Sequence, residues 1–124
     1  MTDPQDLAIV CARLAWAKKA ENIMVIDVRE LTDITDFLVI ATVSSSAQSK
    51  ALVSEIRKTV RENEAYTAFR ATARDSTWVL LDYYDVVVDI FEPKTRSFYD
   101  LAHLWGDGPR VKWEDKGAAR NAKA

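Results

Sequence analysis

Residues Trp78–Trp105, WVLLDYYDVVVDIFEPKTRSFYDLAHLW, decide how this chain is read. Two apolar runs, Trp78–Tyr83 and Val86–Phe91, flank the pair Tyr84-Asp85. Their β-branched and aromatic content predicts two strands joined by a tight turn. Pro93-Lys94 predicts another turn, and Asp100 is placed to cap a single helical turn through Leu104. Gly106, Gly108 and Pro109 then end that turn. Alternation puts Trp78, Leu80 and Asp82 on one face of the first strand and Val79 and Leu81 on the other. In the second strand Val86, Val88 and Ile90 oppose Val87, Asp89 and Phe91.

Working outward, Asp3-Pro4 marks a helix start, with Pro where its missing N–H costs nothing. Leu7, Val10, Cys11, Leu14 and Ala17 follow at helical spacing. Ile23–Val28 is a nearly continuous apolar run, as a strand covered on both faces would be. Arg29–Asp36 is polar and turn-like, and Phe37–Val43 is a second buried strand. Ser44-Ser45-Ser46 supplies an N-cap for a helix reaching to about Asn63, with Ala47, Ala51, Leu52, Ile56 and Val60 as its apolar stripe. Tyr66–Ala71 reads as a weaker strand. This order of helices and strands implies one α/β domain, a mixed β-sheet flanked by helices, over residues 1–111. Residues 112–124 form a charged, alanine-rich tail expected to be flexible.

Composition narrows the function. The chain has 124 residues, 48% of them hydrophobic and 29% charged, a globular balance. Its net charge of -2 excludes a protein that is basic overall, though not a local basic patch. Cys11 is the only cysteine, so no intrachain disulfide or Cys-rich zinc site can form, and its helical position suits a small core residue. No apolar run approaches the ~20 residues of a membrane span, and the acidic N-terminus is unlike a signal peptide. A cytoplasmic protein is expected.

Candidate chemistry is sparse. The loop SSSAQSK before the second helix lacks both glycines of a phosphate-binding loop, so serine capping explains it better. Asp82, Asp85 and Asp89 are the acids nearest to a metal-dependent nucleotidyl-transfer pattern, yet the chain has no Asp-x-Asp pair to aim two carboxylates at one ion. His103, the single histidine, sits among Leu101, Leu104 and Trp105 and reads as a surface residue at a binding patch. The aromatic residues carry a sharper signal. A domain this small seldom buries Trp78, Phe98, Tyr99 and Trp105 completely, and Trp and Tyr are enriched at interface hot spots. Arg96 beside them suits a bidentate contact to a carboxylate or phosphate. The tail cations Lys112, Lys116, Arg120 and Lys123 suit a minor contact with RNA backbone.

Three ordered blocks resemble the ribosomal silencing factor family, also called Iojap-like. They are KAENIMVIDVREL (Lys19–Leu31), TDFLVIATVSSSAQSKAL (Thr35–Leu52) and the Trp78–Trp105 stretch. The last is similar to the family pattern W-x-LLDY-G-DVVVH-x-F…R-x-(F/Y)YDLE-x-LW. This chain departs from it at Tyr84 (usually Gly), Asp89 (usually His) and Ala102 (usually Glu), and ATARDST replaces a Gly-containing approach to the Trp strand.

The resemblance implies a nucleotidyltransferase-like α/β fold without its chemistry: no enzyme, cofactor, metal or small-molecule substrate. It implies binding of the large ribosomal subunit through its fourteenth protein, steric blockage of small-subunit joining, lower translation under nutrient limitation, and homodimer formation. Alternatives are a large-subunit assembly factor and a metal-dependent nucleotidyltransferase using Asp82, Asp85 or Asp89. Carried onto this sequence, the expected partner-binding residues are Trp78, Leu80, Asp82, Arg96, Tyr99, Leu101 and Trp105.

Overall fold

The computed structural model describes residues 3–62, 70–75 and 77–114; for 70–75, 98, 99 and 102 it describes the backbone alone. Helix α1 (Pro4–Ala17) starts at Pro4, but the Asp3 side chain makes no cap hydrogen bond. The end of α1 is more closely specified. The Lys19 N–H donates to the Trp16 carbonyl at 2.9 Å and the Ala20 N–H to that of Ala15 at 2.9 Å. Lys19 takes φ 67°, so a lysine holds the left-handed position usual for glycine in this Schellman ending. The apolar contact that accompanies the motif is Ala20 near Ala15, both buried. The buried stripe of α1 is Leu7, Ala8, Cys11, Ala12 and Ala15, with Val10 half-buried and Ala17 exposed. Burial pushes the Cys11 thiol up to about 12, so it is an inert core group.

Strands β1 (Glu21–Asp27) and β2 (Phe37–Thr42) follow, then helix α2 (Ser46–Glu62) and strands β3 (Arg70–Asp75), β4 (Trp78–Asp82) and β5 (Val86–Phe91). Ser45 caps α2: its Oγ accepts from the Gln48 N–H at 3.1 Å. Gln48 Oε1 reaches back to the Ser44 N–H at 2.7 Å, and Gln48 Nε2 donates to the Lys18 carbonyl at 2.9 Å. This reciprocal arrangement is a near relative of the capping box, and it also ties α2 to the end of α1. The buried stripe of α2 is Ser49, Leu52, Ile56 and Val60. Ala47 and Ala51 lie outside it, exposed, because the stripe through Ser49 and Leu52 turns their positions toward solvent.

The five strands form one mixed sheet in the order β1-β2-β5-β4-β3. The β2–β5 pair is parallel and the others are antiparallel. All six β2 positions are buried, which its unbroken apolar run requires. Phe37, Val39 and Ala41 join Val86, Val88, Ile90 and Leu81 beneath α1 and α2. Leu38 and Ile40 join Ile26, Val28 and Phe91 on the other side. Of the expected strand Tyr66–Ala71, Arg70 and Ala71 fall in β3, Arg70–Asp75, which pairs with β4 and runs on to Asp75; residues 66–69 lie outside those described. Its polar sequence has no alternation to read, so only the β4 partner fixes it.

The Pro93-Lys94 turn is also corrected. Pro93 is the first residue of helix α3 (Pro93–Tyr99). Seven residues are too few for a periodicity signal, and Pro at the first helical position looks like a turn. Asp100 does cap helix α4 (Leu101–Leu104), accepting from the His103 N–H at 3.2 Å. Beyond it the chain wraps round the edge of β1. Asp27 N–H donates to the Pro109 carbonyl at 2.8 Å and Val111 N–H to that of Val25 at 2.8 Å. Trp113 is 6% exposed in the core under α1, and Arg13 Nε donates to its carbonyl at 2.7 Å. Packing therefore runs past Val111 to at least Trp113, beyond the expected tail boundary.

Two positions test the backbone. Tyr84 has φ 68° and is 61% exposed, with its N–H bonded to Asp82 Oδ1 at 2.8 Å. The Asp82 carboxylate stabilises a turn that glycine would enter more easily. Replacing Tyr84 by Gly should leave the domain about 1 kcal/mol more stable than replacing it by Ala, measured by urea denaturation. Gly108 is buried, and a Cβ there would lie 2.6 Å from both the Asp27 carbonyl oxygen and Ile26 Cγ2. Gly108→Ala should cost about 1–3 kcal/mol by the same assay, because β1 backbone has to move.

Candidate functional site: a half-open sheet face

The sheet face away from α1 and α2 is covered unevenly. Over β1 and β2 lie Leu101 and Trp105, packed against Ile26, Val28, Leu38, Ile40 and Phe91. Arg96 fastens this cover. Its Nη1 donates to the Asn22 carbonyl and, at 2.6 Å, to Thr42 Oγ1; its Nη2 lies 3.3 Å from Met24 Sδ. The irregularity in β1 between Glu21 and Met24, with Asn22 at φ 49°, frees that carbonyl for the contact. Burial lowers the Arg96 pKa, though the guanidinium stays charged. Arg96 is thus engaged inside the fold, holding α3 to the ends of β1 and β2.

Over β4 and the start of β5 the cover is thinner, while Asp89 and Phe91 of β5 are buried. The register forms cross-sheet rows: Leu80 beside Asp89 and Ile40, Asp82 beside Val87 and Leu38, Trp78 beside Phe91 and Thr42. Trp78, Leu80, Asp82 and Val87 are all half-buried. The alternation in the sequence therefore assigns the face of β4 correctly. In β3, register positions Thr72 and Arg70 stand next to Leu80 and Asp82.

Asp89 explains why the aromatic edge is rigid. It is 2% exposed, and its Oδ1 accepts from Trp78 Nε1 at 2.8 Å. The Trp78 ring also meets the Phe91 ring at 4.8 Å between centroids, tilted by 30°. A hydrogen bond and a ring contact together fix the indole in one orientation. The buried carboxylate, odd among valines in the sequence, serves as its acceptor.

Of the seven expected partner-binding residues, five line or border this face: Trp78, Leu80 and Asp82 on β4, with Leu101 and Trp105 along the covered margin. Arg96 lies beneath the cover. Tyr99 ends α3, and its side chain lies outside those described. Sequence reasoning did not include Val87, although alternation already set it beside Asp89 and Phe91. It also missed Leu104, 66% exposed next to Trp105, because so short a helix hides which face is free.

The acids do not assemble a catalytic centre. Asp89 bonds Trp78, Asp82 bonds the turn at Tyr84, and Asp85 is exposed in that turn. Among the described residues no three of His, Cys, Asp and Glu gather as metal ligands. No described helix is long and apolar enough to cross a membrane.

With this geometry in view, the chain matches the family model described as "Ribosomal silencing factor during starvation" over residues 1–124. It is 32% identical over 110 residues to Ribosomal silencing factor RsfS of Halalkalibacterium halodurans, covering 89% of this chain and 94% of that protein. It is 35% identical over 105 residues to the chloroplastic protein Iojap of Zea mays, covering 85% of this chain and 46% of that longer protein. A crystal structure of a Chromobacterium violaceum protein superposes with a TM-score of 0.77 at 28% identity, covering 96% of this chain and 98% of that one.

Trp78→Phe should lower stability by about 1–3 kcal/mol in urea denaturation, since it leaves the buried Asp89 carboxylate without that donor.

Proposed function

This chain belongs to the ribosomal silencing factor family, and on that premise we propose that it represses translation by occupying the large ribosomal subunit and blocking entry of the small one. It acts in the cytoplasm by steric exclusion, with no catalytic step. The observation that carries this reading is the half-open sheet face: Trp78 held by Asp89, with Leu80 and Val87 half-buried beside it. A fixed aromatic edge with aliphatic neighbours and an acid at one end has the make-up of an interface centre with a charged rim. Its rigidity lowers the ordering cost of binding. The protein surface it fits is that of the subunit's fourteenth protein, as the family resemblance implies, and the "starvation" of the family description fits repression under nutrient limitation. A homodimer in the free state is part of the same reading.

Leu80 is the cleanest probe, because its half-buried side chain lies on this face and has no hydrogen-bonding group. Leu80→Ser, which adds no charge beside Asp89, should keep the domain folded, weaken sedimentation with isolated large subunits at least about tenfold, and restore subunit joining. Unchanged binding by this variant would remove the sheet face from the interface. Failure of the parent protein to sediment with large subunits would overturn the repression reading itself.

A further inference from the structure

The opposite side of β4 carries a second surface of different chemistry. Lys50, Arg57, Lys58 and Arg61 line a groove of about 450 Å³ with the hydroxyls of Ser49 and Ser54, and Val53 and Val79 form its apolar wall. All four cations are exposed. Positions 50, 54, 57, 58 and 61 fall on one face of α2, a row about 16 Å long at 1.5 Å per residue. The acids of α2, Glu55 and Glu62, do not line the groove. No described acid pairs with Lys50, Lys58 or Arg61. The row concentrates positive charge on one helix face of a chain whose net charge is -2.

We propose that this groove is an RNA-binding surface that takes the phosphate backbone of a ribosomal RNA segment on the side of the sheet opposite the protein-binding face. The choice of RNA as the polyanion rests on the ribosome-binding reading above; the groove itself does not. A row of cations spaced along one helix face meets a line of phosphates better than one compact anion. The exposed Ser54 hydroxyl adds a donor to phosphate oxygens without reading bases, so binding is independent of sequence. Val79 faces the groove while Trp78 and Leu80 face the open sheet, so one strand presents a cationic side to RNA and an apolar side to protein.

The test uses the full chain and a fluorescently labelled RNA hairpin of about 20 nucleotides, with no ribosomal protein present, read by anisotropy across a salt series. The parent should bind with an affinity that falls steeply as salt rises. The triple variant Lys50→Glu, Lys58→Glu, Arg61→Glu, shown to be folded by circular dichroism, should bind at least about tenfold more weakly and lose about two units of the log–log salt slope. A second variant, Lys116→Gln, Arg120→Gln, Lys123→Gln, locates the contact. The proposal is overturned if the parent does not bind RNA, if the triple variant binds like the parent, or if the tail variant alone accounts for the loss. It is also overturned if polyglutamate displaces RNA at equal charge, which would assign the groove to an acidic protein. Because the assay holds no ribosomal protein, its failure leaves the sheet-face reading standing, and loss of large-subunit sedimentation leaves this one standing.

Discussion

The parallel pairing of β2 with β5 is the constraint from which the architecture follows. Parallel neighbours cannot be joined by a hairpin, so the chain leaves β2, runs the length of α2 and returns through β3 and β4 before β5 is laid down. A central strand buried at all six positions needs cover on both faces. The helices α1 and α2 supply it on one side. On the other the cover is a short C-terminal stretch, too small to span five strands. The half-open face is therefore a direct result of having two long helices for one side and two short ones for the other.

That asymmetry puts unusual demand on a few polar contacts. Arg96 holds the short cover in place through a carbonyl, a hydroxyl and a sulfur, and Asp89 holds the aromatic edge where the cover stops. Each is an ionisable group inside a mostly apolar layer, and each is acceptable there because it is hydrogen-bonded. The two also divide the face: one side is closed by Arg96, and the other stays open but fixed by Asp89. A face built this way is held rigid by side chains within the fold rather than at its surface.

Much of this was legible in the sequence because period and cap chemistry are local. The β5 limits, the burial of β2, the Asp100 cap and the face shared by Trp78, Leu80 and Asp82 all follow from neighbouring residues. What could not be read depends on distant ones. Arg96 looks like a contact residue until Asn22, Met24 and Thr42 are brought to it from 54 to 74 positions away. Asp89 looks misplaced until Trp78 lies across the strand. The α3 helix is too short to show a period, and β3 has no pattern without β4. The capping serines were readable, but their tie to Lys18 through Gln48 was not.

The closure of the β1 edge by residues 109–111, and of the core by Trp113 against Arg13, sets the order in which the domain can finish folding during its own synthesis. The partner of the first helix is made a hundred residues later. While residue 113 is still within the exit tunnel, α1 lacks its final contact and β1 has an unpaired edge. The first helix and β1 therefore wait for a segment made about a hundred residues later, and the domain is fully packed only once residues 109–113 have left the tunnel.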